Sequence, residues 1–298
     1  MTEPAPWSGE PRQIRSRGGS SSANLADVLE RVLDKGVVIA GDIKINLLDM
    51  SAVADYADPY AVSGQFIDIM IAGWWSHFGG AVAEAVRAMP AGDAPLLDAG
   101  AGGGWGTRLL ARTLPSARIL AVEPSPVLRA VLLSRIAADD DLRTRVTVDG
   151  DDLLSARLPD RLGGVVAANL IGHFAPEERD RLWRDLAGRL VPGGFALVNL
   201  APPVEPARVE RAPMSRVEVG SRTYLGWAEA EPAGGDRITW HMTYEVHEGD
   251  RLVSRDEVHY DWWTLTARRL AAETAAHGLT TQPHGPTEAG LFTVATSP

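Results

Sequence analysis

The sequence predicts an α/β protein: a doubly wound, mainly parallel sheet with an antiparallel β cap inserted late in the chain and a helix–strand appendage at its start. Three observations predict it. Five short apolar segments alternate with helix-like stretches, a glycine-rich turn follows the first of them, and three longer β-type runs rich in aromatics follow a proline-rich break. Strands and helices alternating in that number imply parallel strands with helices on both faces.

Taken in order, residues 1–19 mix Pro, Gly, Ser and Arg without an apolar period and read as a disordered tail. Ser20 to Ser22 offer N-cap hydroxyls, and Leu25, Val28, Leu29, Val32 and Leu33 fall on one face of a helix that Gly36 ends. The period then changes to two: Ile43, Ile45 and Leu47 alternate with Asp42, Lys44 and Asn46, the pattern of a half-buried strand. One helix and one strand have no core of their own. The only two lysines, Lys35 and Lys44, also fall here, against 27 arginines in the chain, which points to a separate origin for this stretch.

An apolar helix is expected from Phe66 to Met89, interrupted at Gly79-Gly80. Strands follow at Pro95–Ala99, Ile119–Glu123, Val146–Val148, Val165–Asn169 and Phe195–Leu200, with helices such as Thr107–Leu114 and Pro176–Leu190 between them. Pro202, Pro203 and Pro206 break the rhythm before the runs Val217–Trp227, Arg237–His247 and Leu252–Trp262. The turn Glu248-Gly249-Asp250-Arg251 joins the last two as a hairpin. A helix, Thr266–His277, and a strand, Leu291–Thr296, complete the pattern. The expected divisions are a tail (1–19), the helix–strand segment (20–49) and a main domain (50–298) whose cap spans about 202–263.

Composition narrows the function. At 298 residues, 45% hydrophobic and 23% charged, the chain suffices for one large domain or two ordinary ones. It has no cysteine, which removes disulfides, thiolate metal sites and cysteine nucleophiles and suits a reducing cytoplasm. The opening MTEPAPWSGEPRQIRSR lacks a signal-peptide core, and no apolar stretch reaches the ~18 residues that span a bilayer. The expected location is cytoplasmic, with no membrane partner. A net charge of −10 disfavours nucleic acid, whose phosphates draw on clustered Lys and Arg, and favours a small neutral or cationic ligand. No cluster of His and carboxylates has metal-ligand spacing, so no metal is expected.

Ser20 to Asp49, SSSANLADVLERVLDKGVVIAGDIKINLLD, resembles the start of the gas vesicle shell protein family. The resemblance implies a second strand and helix and side-by-side assembly into a protein wall. Here it stops at Asp49, where MSAVADYADPYAVSG takes over. The segment is therefore either a remnant, with Met50 a plausible beginning, or a working link to gas vesicles; the second makes the chain a structural or accessory protein with an ancillary domain.

The strongest functional signal is LLDAGAGGGWG, Leu96 to Gly106: an apolar strand ends in Asp98 and runs through Gly100, Gly102 and Gly104 into a helix. Glycines let backbone approach a ligand closely, and the turn lies where open α/β sheets bind ligands. Trp105 stands where the dinucleotide fingerprint needs glycine, and no lysine follows to make a phosphate loop. The alternation D-x-G-x-G-x-G instead resembles motif I of the class I S-adenosylmethionine-dependent methyltransferases. Neighbouring positions agree with that family: Glu123 ends the second strand, Gly150-Asp151-Asp152 follow the third, Asn169 ends the fourth, and VPGGFALVNL, Val191 to Leu200, enters the fifth. The resemblance implies a Rossmann-like methyltransferase fold over about 52–298, with S-adenosylmethionine as cofactor. It implies Asp98, Gly100, Gly102, Gly104 and Asn169 around the cofactor, Glu123 on the ribose hydroxyls, and Asp151, or its neighbour Asp152, on the adenine amino group.

Methyl transfer from a sulfonium needs in-line attack, so positioning alone suffices or a general base assists. His173, in NLIGHF after the fourth strand, is the candidate base, set against a packing role. His241 and His259 fall on the hairpin; a two-residue turn makes Trp240, not His241, face His259. The pattern Asn-Pro-Pro-aromatic, which the family uses to methylate base or glutamine amino groups, reads Asn-Leu-Ile-Gly from Asn169, so the expected acceptor is a small molecule. Trp227, Trp240, Tyr244, Tyr260, Trp262 and Trp263 are candidate walls for it, or an ordinary core between sheet and helix.

Overall fold

A computed structural model describes residues 58–90 and 92–296; the expected tail and helix–strand segment lie outside the described residues. Helix α1 (Gly64–Arg87) precedes an alternating series: β1 (Leu96–Ala99), α2 (Trp105–Thr113), β2 (Ile119–Val122), α3 (Pro126–Ala137), α4 (Asp140–Arg145), β3 (Val146–Asp149), β4 (Gly164–Ala167), a 3-10 turn (Ile171–His173), α5 (Pro176–Arg189) and β5 (Phe195–Asn199). Four long strands follow, β6 (Val209–Val219), β7 (Arg222–Gly234), β8 (Arg237–Glu248) and β9 (Arg251–Trp263). The described chain closes with α6 (Ala267–Ala275), β10 (Leu279–His284), a second 3-10 turn (Thr287–Ala289) and β11 (Leu291–Thr296).

The main sheet has the order β10-β11-β5-β4-β1-β2-β3. Strands β1 to β5 are parallel, and β11 runs antiparallel to both β5 and β10. Strand order reverses at β1, which lies between β2 and β4, so a crevice opens beyond the carboxyl ends of β1 and β4. Every residue of β1, β2 and β4 is buried, because helices cover both faces. The two-residue period divides the strands between two cores. Leu97, Ala99 and Val165 pack toward Trp183 and Leu186 of α5 and Leu270 of α6. Leu96 and Val166 pack toward Val82 and Val86 of α1, Leu110 of α2 and Leu132 of α3.

Two elements run differently from expectation. Helix α1 passes through Gly79-Gly80 without a break, with Gly79 buried beside Leu109 of α2. The run Val217–Trp227 is two strands, because Gly220-Ser221 forms a tight turn between β6 and β7 and Gly220 takes the left-handed backbone such turns require.

Strands β6 to β9 form a separate antiparallel sheet between β5 and α6. Its inner face sets Met242, Tyr244 and Val246 of β8 on Phe66 and Met70 of α1, with the Phe66 and Tyr244 rings stacked at 5.0 Å. The β8–β9 turn has the expected two residues, Gly249-Asp250, but the register shifts between Val246 and His247, leaving Val253 as an extra residue. His241 consequently pairs with His259, and Trp240 with Tyr260, the opposite of the sequence expectation. Beyond that bulge, His241 and His259 stand on the exposed face with ring centroids 6.3 Å apart, while Tyr260 and Trp262 of β9 turn inward.

Helices α5 and α6 are tied by a buried cation. Arg179 is 0% exposed; it donates to both oxygens of Glu273 at 2.9 and 2.7 Å and to the Phe174 carbonyl at 2.8 Å. Burial alone pushes the Glu273 carboxyl up, but the bonds and charge of Arg179 outweigh it and hold the group below its usual value. A fully paired buried charge of this kind fixes geometry, and here it fixes the chain immediately after His173.

Candidate functional site

All the residues expected at the site, the turns after β1, β2, β3 and β4, fall at the carboxyl edge of the parallel strands. Gly100, Gly102 and Gly104 have φ of 65°, 55° and 93°, the left-handed region where only glycine is unstrained. A side chain at Gly100 or Gly104 would also meet Leu170 at 2.8 Å or Leu132 at 2.7 Å. The turn therefore brings bare backbone to the crevice.

Glu123 is 4% exposed and holds this turn from the next strand end: Gly102 N–H donates to Oε2 at 2.7 Å and Ser125 N–H to Oε1 at 2.8 Å. Burial pushes its carboxyl up, and the two N–H bonds pull it partly back. Each oxygen keeps a second lone pair, so the group can still accept two hydroxyls. Arg129 of α3 donates to the carbonyls of Glu123 and Pro124, both at 2.8 Å, and lies against Gly150, linking the turns after β2 and β3. Past Gly150, Asp152 accepts the Leu154 N–H at 2.9 Å and is used as a local cap. The Asp151 carboxylate has no hydrogen bond or ion pair among the described residues, which makes it the better candidate of the two.

Two other expected cofactor-binding side chains are engaged elsewhere. Asp98 is 3% exposed and accepts the Thr107 hydroxyl at 2.5 Å, directly beneath the start of α2. Burial pushes it up to about 6, with the Thr107 bond opposing and Glu123 adding to the rise. Its place is under the loop, holding the strand–helix junction. Asn169, at φ 53°, is locked to Asn199 of β5. In both cases a strand-end polar side chain at a buried edge is hydrogen-bonded to a neighbouring side chain, as buried polar groups require.

The loop has a support that sequence reading missed. Asp68 of α1 and Arg135 of α3 form an ion pair at 2.5 Å, and Arg135 Nη1 also donates to the Gly103 carbonyl. Any side chain at Gly103 would collide with Asp68, so this glycine too is required. Trp105 donates from its indole to the Asp68 carbonyl at 3.2 Å, and the Arg135 guanidinium lies over its ring at 5.1 Å.

On the β4 side, His173 sits among rings: Tyr60 at 6.0 Å, Tyr260 at 6.0 Å and Trp262 at 4.9 Å. Gly172 admits the Trp262 indole, since any Cβ there would run into it. Burial lowers His173 to about 4 and pushes Tyr260 up to about 12. The Tyr60 hydroxyl and His173 Nε2 share a hydrogen bond of 2.9 Å. Of the expected aromatic walls, Tyr260 and Trp262 pack around His173, whereas Trp240 and Tyr244 belong to the packing on α1. Trp227 and Trp263 instead lie under Arg211 and Arg237 at 5.1 and 5.8 Å. A concavity of about 350 Å3 on the exposed face of the cap holds His241 and His259, but its charges pair among themselves, as Arg211–Glu229 and Arg255–Glu257, and His241 lies against Glu231.

Residues 96–194 match the family model described as methyltransferase domain, and residues 24–51 the one described as gas vesicle protein. Gas vesicle protein J of Streptomyces sp. (strain CB03234) is 74% identical over 50 residues, 17% of this chain and 44% of that protein. Probable gas vesicle protein J1 of Streptomyces coelicolor is 85% identical over 33 residues, 11% of this chain and 30% of that protein. The chain thus spans less than half the length of these curated relatives. Among solved structures, DesVI of Streptomyces venezuelae superposes with a TM-score of 0.64 at 18% identity, covering 79% of this chain and 98% of that one. CalS10, an amino pentose methyltransferase from Micromonospora echinaspora solved with S-adenosylmethionine, gives 0.60 at 18% identity, over 75% of this chain and 92% of its own. KedS8, a sugar N-methyltransferase from Streptoalloteichus sp., gives 0.57 at 19% identity, over 95% and 100%. The fold is that of the Rossmann-like methyltransferases; residues 96–194 are similar to methyltransferase domains and residues 24–51 to gas vesicle proteins.

Proposed function

We propose that this protein transfers a methyl group from S-adenosylmethionine to an amine nitrogen of a polar small molecule. The observation that carries the reading is the juxtaposition of a bare-backbone glycine turn, fixed by Glu123, with the aromatic chamber around His173. The residues fit the cofactor: Gly100, Gly102 and Gly104 leave room for it against the backbone, Glu123 has lone pairs free for the ribose hydroxyls, and Asp151 is unengaged for the adenine amino group. When bound, the cofactor supplies an electrophilic methyl group on a positively charged sulfur.

The chamber argues for nitrogen over oxygen as the acceptor atom. An alcohol must lose its proton as the methyl arrives, and His173, lowered to about 4, is a weak base at neutral pH. The same burial that holds Tyr260 at about 12 would keep a phenol acceptor un-ionised. A neutral amine brings its lone pair ready for attack. As the carbon–nitrogen bond forms and the carbon–sulfur bond breaks, positive charge passes to nitrogen, where the faces of Tyr60, Tyr260 and Trp262 attract it. CalS10 and KedS8, described as acting on an amino pentose and on a sugar nitrogen, share the fold and lend support to an amino sugar as the acceptor.

Calorimetry with S-adenosylhomocysteine, then mass spectrometry of a panel of amino sugars and their hydroxyl counterparts, tests the reading. The expected result is binding, with a methyl gained only by amines. Absence of binding to folded protein, or methylation of the hydroxyl compounds alone, overturns it. A second reading follows from residues 24–51: attachment to gas vesicles, with the methyltransferase domain ancillary. Recovery of the intact protein in floated, washed vesicles supports that reading; the first expects a chain beginning at Met50 to keep its cofactor affinity within a few-fold.

A further inference from the structure

Tyr60 and His173 are 113 positions apart, and no local rule pairs them. The tyrosine is placed by Asp58, whose Oδ1 accepts the Tyr60 N–H at 2.9 Å and whose Oδ2 accepts the Ser125 hydroxyl at 3.0 Å. Ser125 in turn donates its N–H to Glu123. A short strap from Asp58 to Tyr60 thus joins the cofactor side of the crevice to the acceptor side.

A neutral imidazole carries one proton on its two nitrogens, and the partner of one nitrogen decides the state of the other. Here Nε2 faces the Tyr60 hydroxyl, while Nδ1 has no hydrogen bond among the described residues. A phenol is the stronger donor of the pair. We propose that Tyr60 is a positioning residue that donates to His173 Nε2 and so fixes the ring as the Nδ1–H tautomer, giving the chamber a hydrogen-bond donor for an oxygen of the acceptor. In that state His173 has no lone pair free to take a proton from the nucleophile; it orients the acceptor. The acceptor's part in this rests on the amine-methylation reading, whereas the tautomer stands on the strap and chamber alone.

Nitrogen NMR of the full chain labelled at histidine tests it without a known acceptor, with His173→Asn identifying the signal among the seven histidines. The expected spectrum has a protonated Nδ1 and a bare Nε2, unchanged by saturating S-adenosylhomocysteine. Tyr60→Phe, which keeps the ring, should move the population toward the Nε2–H form that free histidine favours, and Asp58→Ala should do so in part. An Nε2–H tautomer in the unmodified chain overturns the proposal even if neither variant folds, as does a Tyr60→Phe spectrum identical to it. An Nδ1–H tautomer in a protein that methylates no amine would sink the functional reading and leave the tautomer standing.

Discussion

Asn199 and Asn169 close a two-bond ring across the ends of β5 and β4: the Asn169 N–H donates to Asn199 Oδ1 at 2.6 Å, and Asn199 Nδ2 donates to Asn169 Oδ1 at 2.9 Å. The ring holds Asn169 in its left-handed conformation just before Leu170 and the His173 turn. Asn199→Ala leaves the half-buried Asn169 N–H without its partner, at a cost of roughly 1 kcal/mol. Urea unfolding should show that loss, and a variant as stable as the original would mean water replaces the amide without penalty.

Glu123→Gln is a more selective probe, since the amide keeps the size but offers one oxygen to two N–H donors. One of Gly102 and Ser125 loses its acceptor, and the proposed ribose site loses its charge. Affinity for S-adenosylhomocysteine should fall by roughly 10- to 100-fold, the equivalent of about 1.4–3 kcal/mol. An unchanged dissociation constant would remove Glu123 from the cofactor site.

Alanine at two glycines should separate the halves of the crevice. Gly103→Ala drives a methyl into the Asp68–Arg135 pair and should weaken cofactor binding at least tenfold. Gly172→Ala meets the Trp262 indole and should spare cofactor affinity while quenching acceptor turnover. Equal effects of both on S-adenosylhomocysteine affinity would contradict this division.

Asp98 and His173 give stability opposite pH dependences. Asp98 sits at about 6 in the folded chain against 3.8 ordinarily, so its contribution is full below pH 3.8 and is lost as pH rises to 6. His173 sits at about 4 against 6.5, so its contribution is full above pH 6.5 and is lost as pH falls to 4. Each amounts to roughly 3 kcal/mol across its window. Relative to the original chain, Asp98→Asn should therefore gain stability from pH 4 to 6 and His173→Asn from pH 6.5 down to 4. Difference curves from denaturant titrations that stay flat would show that neither group titrates as its burial requires.

What was legible in the sequence was local. The turn at Gly100, Gly102 and Gly104 and the carboxylate at Glu123 follow from strand–turn–helix spacing, and both stand at the crevice. The Asp68–Arg135 support spans 67 positions and the Tyr60–His173 bond 113, and composition carries no signal of such pairings. Asp98 and Asn169 were found at the right strand ends, but spacing says nothing about which neighbour a side chain bonds, and Thr107 and Asn199 claim them.

The extra residue at Val253 sets the phase of everything after it in β9. Because side chains alternate sides along a strand, adding one residue there would exchange insides for outsides over the next ten positions. Tyr260 and Trp262 would trade places with His259 and Asp261, and the chamber would acquire an imidazole and a carboxylate in place of two aromatic walls. A chemically different lining around His173 therefore lies one codon away, reachable without substituting any residue of the present one. Length variation in this hairpin, more than substitution inside the crevice, would be expected to change the chemistry of the proposed acceptor.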